Sequence, residues 1–219
     1  AGYSCDAMPS TCVTTCGDSI RTGAEACDDG NVAAGDGCSD TCTVESGYAC
    51  EMDSPSICAT VCGDGILLGA EGCDDMNLTS GDGCSDTCTP EQGYDCAGAP
   101  SICATICGDG FLAGAEACDD GNLGTGDGCN ASCVIEAGFV CMGSPTTCST
   151  VCGDGIVVGA EGCDDMNLNA GDGCTPSCAV QQGFTCMGAP SACAAICGDG
   201  LILGAEACDD GNLSNADGC

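Results

Sequence analysis

The sequence predicts small disulfide-rich repeats, mostly turns with short β-strands and little or no helix, strung into a linear, rod-like or solenoid-like tandem array. Three observations predict this. The 219 residues include 29 cysteines, far above the level at which a disulfide scaffold is the first reading of a chain. The cysteines recur with a period of 45 or 46 residues, Cys16, Cys62, Cys107, Cys152 and Cys197 each opening a C-G-D-[GS] turn. Glycine is abundant, and Asp-Gly pairs such as Asp64-Gly65 and Asp82-Gly83 mark tight turns in place of long regular elements.

Within a unit the spacing is C-x10-C-x10-C-x3-C-x7-C-x6/7-C-x3, as in Cys62, Cys73, Cys84, Cys88, Cys96 and Cys103. Residues 1–15 are then the C-terminal part of one repeat, 16–61, 62–106, 107–151 and 152–196 are four complete repeats, and 197–219 begin a fifth. Such regularity indicates an array in which each unit leans on its neighbours. Gly2-Tyr3-Ser4-Cys5 matches Gly93-Tyr94-Asp95-Cys96, and Cys219 is the third cysteine of its unit. With no capping variant at either end and no signal-like or membrane-spanning stretch, the chain reads as a processed or internal segment. Its ends are expected to be completed by more array or by neighbouring subunits. The odd cysteine count leaves at least one thiol near an end without a partner inside the chain, and every pairing of the six cysteines in a unit stays open.

A longer period overlies the first. Gly-Ala-Glu-Ala-Cys-Asp-Asp-Gly-Asn begins at residues 23, 114 and 204, but Gly-Ala-Glu-Gly-Cys-Asp-Asp-Met-Asn begins at 69 and 159. Two readings stand: duplication of a two-unit block, or successive units facing opposite sides of a rod, with Met76 and Met166 on one face. The short apolar runs Ile66-Leu67-Leu68 and Ile156-Val157-Val158 are each expected to form one small strand, and Gly138-Phe139-Val140-Cys141 a second. Residues 62–106 hold only eight large apolar side chains. These and runs such as Phe111-Leu112 and Leu201 to Leu203 either make each unit's own small core or pack between units. A unit so poor in core needs disulfides that restrict its unfolded chain.

Cysteine content also sets the compartment. Cytosolic thiols are kept reduced, and with no His and no paired C-x2-C knuckles the zinc-cluster alternative has little to stand on. The expected location is extracellular or cell-surface. Against 34 Asp and Glu there is one cation, Arg21, giving a net charge of −33. Nucleic acid and anionic membranes, which are captured by Lys and Arg, are therefore excluded as partners, and no apolar run is long enough for membrane insertion. Without His or Lys the usual bases for a Ser or Cys nucleophile are missing. Paired acids such as Asp28 and Asp29 recur in all five units, which is not the arrangement of a single active site. The chain is expected not to be an enzyme.

The recurring acids suggest calcium, about one or more per repeat. Crowded carboxylates repel, no cationic side chain relieves them, and calcium takes six to eight oxygens that Gly-rich turns help to converge. The segment C-D-D-[GM]-N-x3-[GA]-D-G-C places three carboxylates and an amide within nine residues. Its candidate ligands are Asp28, Asp29, Asn31 and Asp36; Asp74, Asp75, Asn77 and Asp82; Asp119, Asp120, Asn122 and Asp127; Asp164, Asp165, Asn167 and Asp172; and Asp209, Asp210, Asn212 and Asp217. Asp64, Asp109, Asp154 and Asp199 of the opening turns join them. The order is not that of an EF-hand. The competing reading is that these Asp and Asn residues are turn formers bonded to their own backbone. Sequons occur at Asn77, Asn130 and Asn212. Two of these fall on proposed ligands, so Asn130 is the candidate glycosylation site.

The string C-G-D-G-x3-G-A-E-x-C-D-D-G-N-x3-G-D-G-C-x3-C resembles the myxobacterial-type cysteine-rich disulfide repeat across all of residues 1–219. That family occurs in tandem in large secreted and surface proteins of bacteria and protists, with similar segments in pappalysin-like proteins. The resemblance implies an extracellular, disulfide-bonded repeat with no catalytic residues. Ser19, Met76, Met166 and Ala216 depart from it by replacing Gly, and Met argues against a strict need for positive φ at its position.

The leading functional expectation is a structural protein of an extracellular filament, fibre or surface appendage, whose partner is itself. The alternative is an adhesin or stalk that recognises glycans or proteins. It calls for unique exposed aromatics, yet five of the six Tyr and Phe occupy one Gly-Tyr/Phe slot. A secreted calcium buffer ranks third.

Overall fold

A computed structural model describes residues 2–6 and 11–214. Its regular structure is confined to five antiparallel hairpins, and no helix occurs among the described residues. β1 (Tyr3–Asp6) pairs with β2 (Thr11–Thr14), β3 (Tyr48–Cys50) with β4 (Cys58–Thr60), and β5 (Tyr94–Ala97) with β6 (Ile102–Thr105). β7 (Phe139–Met142) pairs with β8 (Thr147–Thr150), and β9 (Phe184–Met187) with β10 (Ala192–Ala195). Each hairpin places two cysteines directly opposite, as Cys96 and Cys103 in the β5–β6 register, and bonds them. The chain divides into two compact units, Ala1–Thr105 and Ile106–Cys219, and one pattern recurs in both.

The pairing that sequence left open is the same in each complete repeat: first cysteine to fourth, second to third, fifth to sixth. In the second repeat these are Cys62–Cys88, Cys73–Cys84 and Cys96–Cys103. The first two bonds nest one loop inside another and tie the repeat's loops into one cross-linked node, termed its knot, and the third closes the hairpin that follows. No disulfide among the described residues crosses from one repeat of the 16–61, 62–106, 107–151, 152–196 division into the next. Cys197, the first cysteine of its unit, is a free exposed thiol. Cys208 is disulfide-bonded. Ala216, Asp217 and Cys219 lie outside the described residues.

Sulfur makes the core. Cys73, Cys84 and Cys88 are buried, with Cys62, Cys96 and Cys103 packed around them. The large aliphatics do not form a core within each unit. Leu78 and Ile102 are well exposed and Ile66 is at the margin of exposure, while the half-buried Leu68 lies against Gly47 of the preceding repeat, where a β-carbon would collide with its Cδ1. Val158 meets Gly138, and Leu203 meets Gly183, in the same way. Each of these glycines is held from within its own repeat by the repeat's last residue: Val61 N–H donates to Gly47 O at 2.9 Å, and Val151 to Gly138 and Ile196 to Gly183 at 2.8 Å. In these three pairs of neighbours the apolar run of one repeat therefore packs on the repeat before it.

Two local expectations are corrected. Ile66–Leu68 and Ile156–Val158 are not strands, because their amide hydrogens are taken by acids: Ile66 N–H donates to Asp64 Oδ1 and Leu68 N–H to Glu71 Oε2. Met76 and Met166 keep positive φ, 71° and 67°, where Gly30 and Gly121 have 89° and 82°. The left-handed conformation is thus required even at a cost of about 1–2 kcal/mol for a residue with a β-carbon. The expected strand at Gly138–Cys141 is found, beginning at Phe139.

Candidate cation centres of the repeat

In the four complete repeats the first Asp of the Cys-Asp-Asp sequence turns inward and is the only fully buried acid of its repeat. Asp28, Asp74, Asp119 and Asp164 have no exposed surface. Asp74 accepts N–H bonds from Gly63 at 2.9 Å, Asp64 at 3.2 Å, Gly65 at 2.8 Å and Met76 at 3.0 Å. Asp28, Asp119, Asp164 and Asp209 collect the equivalent four donors. The C-G-D-G turn supplies three of these amides and the turn after the Asp the fourth, so the carboxylate ties both turns together. Burial alone would raise the carboxyl of Asp74, Asp119 and Asp164, but the four amide donors outweigh it and hold each below the ordinary carboxylate range. At Asp209 the amides, led by Gly211, act in the same direction.

A second acid reaches the same place. Glu71 closes a tight turn by accepting the Leu68 N–H on Oε2 at 2.9 Å, leaving Oε1 buried with no hydrogen-bond partner. Glu25, Glu116, Glu161 and Glu206 repeat the arrangement, each with Oε1 buried and unpartnered. Carboxylate oxygens of Glu25 and Asp28, of Glu71 and Asp74, and of Glu206 and Asp209 lie within 4.8 Å of each other and of a cysteine sulfur. Cys42 and Cys88 are disulfide-bonded, so their sulfurs are not thiolate ligands. In the third and fourth repeats the close group is Asp119 with Cys107 and Cys133, and Asp164 with Cys152 and Cys178. This Glu recurs in every Gly-Ala-Glu string of the sequence but is not among the candidate ligands drawn from it. Its fixed place three residues before the Asp was the available signal.

The remaining candidates lie on the outside. Asp64, Asp109, Asp154 and Asp199 each accept the amide two residues on, at 2.8 Å. In the loop beyond Asp75, Asn77 Oδ1 accepts the Thr79 N–H at 2.6 Å and Nδ2 donates to Asp82 Oδ2 at 3.2 Å. Asn31 with Asp36 and Asn122 with Asp127 do the same. In the fourth repeat Asn167 turns instead to the Asp165 carbonyl, and Asp165 Oδ1 is buried without a partner. In the fifth, Asn212 donates to Asp210. Asp28-type and Asp36-type residues are thus not gathered into one centre: the former belong to the knot interior, the latter to an exposed loop. A further acid missed as a structural group, Glu91, clamps the Gly81 and Gly83 amides from across the loop.

Among the sequons, Asn130 Oδ1 accepts the Ser132 amide, and its Nδ2 bonds to nothing among the described residues; the Nδ2 of Asn77 and of Asn212 donates to an acid. A cleft over Phe184 and Gly204, rimmed by Asp172 and Glu206, is found where Ala195 takes the place of Thr14, Thr60, Thr105 and Thr150. No helix among the described residues is long and apolar enough to cross a membrane.

A family model described as Domain of unknown function (DUF4215) matches five stretches, residues 1–43, 45–89, 90–134, 136–186 and 177–219. No curated protein matches the chain.

Proposed function

The chain belongs to the DUF4215 family, and from that membership and its five tandem matches we propose that it is a structural segment of an extracellular filament, fibre or surface appendage. In this reading the repeats are stabilised by disulfides and calcium, associate with further copies of the same array, and are of the myxobacterial-type cysteine-rich kind. Thirteen disulfides with described partners persist only in an oxidising compartment, which supports export.

The observation that carries the reading is an apolar side chain left uncovered at one place in every repeat. Val32, Leu78, Leu123, Leu168 and Leu213, each following the loop Asn, are 59% to 79% exposed. A single exposed Leu means nothing. Five at constant phase give every repeat the same uncovered apolar point for association with further copies. The adhesin alternative asks for singular exposed aromatics: Phe111, 43% exposed, is the one outside the shared slot, whereas Tyr48 and Tyr94 spend their hydroxyls on the Gly35 and Gly81 carbonyls, a structural use.

Electron microscopy of native material with and without EGTA tests the proposal. Regular filaments that fray in the chelator, and fail to form when Leu78, Leu123 and Leu168 are replaced by Asp, are expected. Monodisperse particles indifferent to both treatments contradict it.

A further inference from the structure

We infer that the knot interior is a cation site, holding one calcium ion between the inward carboxylate oxygen of Glu25 and the caged carboxylate of Asp28, and likewise between Glu71 and Asp74. The inference rests on the calcium part of the reading above and relocates the ion: the Glu replaces the exposed Asp36 and Asp82 loop as the decisive ligand.

Three observations converge. Glu25 is 6% exposed, and its Oε1 has no hydrogen-bond donor. A buried acceptor of this kind is normally satisfied, and an unpaired buried charge is the costlier case. Asp28, its neighbour, has no exposed surface either, and its carboxylate accepts four backbone amides. Glu25 Oε1 is therefore a buried acceptor without a donor, set beside a second buried carboxylate. Finally, their oxygens lie within 4.8 Å of each other. Two oxygens bound to one calcium at about 2.3–2.6 Å are separated by at most about 5 Å.

The donor set selects the metal class. Carboxylate oxygens without imidazole or thiolate suit a hard cation such as calcium over zinc or copper. The coordination left over falls to backbone carbonyls and water, which calcium accepts and magnesium, with its strict octahedron, accepts less readily. The unpartnered Oε1 of Glu206, grouped with Asp209, carries the same requirement to the fifth repeat.

The test is calcium binding to the full oxidised chain at neutral pH, read by calorimetry and by metal content after dialysis. Glu25→Gln and Glu71→Gln are each expected to remove one ion from the stoichiometry or weaken its binding at least tenfold, whereas Asp36→Asn and Asp82→Asn leave the count unchanged. Calcium should also slow amide exchange at Thr22 to Ala26 and Leu68 to Gly72, a readout that needs no variant to fold. If Asp82→Asn lowers the count and Glu71→Gln does not, the ion sits in the exposed loop; the inference fails and the calcium reading survives. If the unaltered chain binds no calcium, both fail together, leaving filament formation to be judged by microscopy.

Discussion

A chain with 34 acids and one base finds its positive partners in its own backbone. Turn-rich structure leaves many amide hydrogens without a ladder to join, and unpaired buried donors are costly. Asp64, Glu71, Asp74 and Glu91 accept eight amides between them in the second repeat that no strand could have paired. Two consequences of opposite sign compete on acidification. Protonation relieves the repulsion of a net charge of −33, which favours the folded state. It also dissolves the cages. Because the carboxyls of Asp74, Asp119 and Asp164 lie below their ordinary value of 3.8 when folded, their contribution is full above the unfolded value and is lost as pH falls through the folded one. The cages should win, since their donors are buried and close whereas surface charges are screened. The urea midpoint of the oxidised chain is expected to hold steady from about pH 7 to 5 and to drop below about pH 4; a midpoint that rises on acidification would show that repulsion dominates. Asp119→Ala should destabilise its repeat by about 3 kcal/mol or more, several donors losing one acceptor at once. Sequence displayed the acids but not their partners, because a backbone amide has no letter. For the same reason the turn-former and cation readings of Asp74 looked alike, and Met76 seemed to relax a φ that the cage in fact imposes.

At the scale of elements, the hairpin is locked to its knot by one residue at its tip. Ser101 Oγ accepts the Asp74 N–H at 2.9 Å, and the Ser101 amide donates to the Asp74 carbonyl. Ser56, Thr146 and Ser191 make the same pair of bonds in the other complete repeats. Ser101→Ala leaves a buried amide without an acceptor and should cost about 1–3 kcal/mol, whereas Ser101→Thr should be close to neutral because Thr146 already performs the task. Denaturant melts of the two variants distinguish them, and equal losses would mean that the hydroxyl is incidental. The hairpins were half legible. Gly-Tyr/Phe-x-Cys announced the first strand correctly, but Ile66–Leu68 offered an equally apolar run and is no strand. What separates them is the supply of donors: Tyr94–Ala97 faces a second extended segment one cystine away, while the Ile66 and Leu68 amides are consumed by neighbouring acids.

For the whole molecule, stability resides in nested cystines and in contacts between adjacent repeats, with little aliphatic core to hold the fold once sulfur is reduced. The bonds are not equivalent. Cys27, Cys73, Cys118 and Cys163 are completely buried and their partners Cys38, Cys84, Cys129 and Cys174 nearly so. The hairpin cystines, such as Cys96–Cys103, are only half covered and close loops with a sequence separation of 7 or 8. Exchange requires a thiolate to reach the sulfur, so access sets the order. Limited reduction with a small thiol should open the hairpin bonds first, leave each inner second-to-third bond until last, and pass through species whose knots still hold their caged Asp. Losing a hairpin bond should cost the repeat about 2–3 kcal/mol, since the restriction a cystine places on the unfolded chain grows only slowly with loop length. Losing the outer bond Cys62–Cys88, with its separation of 26, should unfold that repeat while its neighbours weaken only through the Leu68–Gly47 type of contact. Trapping free thiols at successive times and mapping the labelled peptides gives the sequence of events directly. Simultaneous loss of all three bonds in every repeat would mean that the array unfolds as one cooperative body, its junctions stronger than its knots.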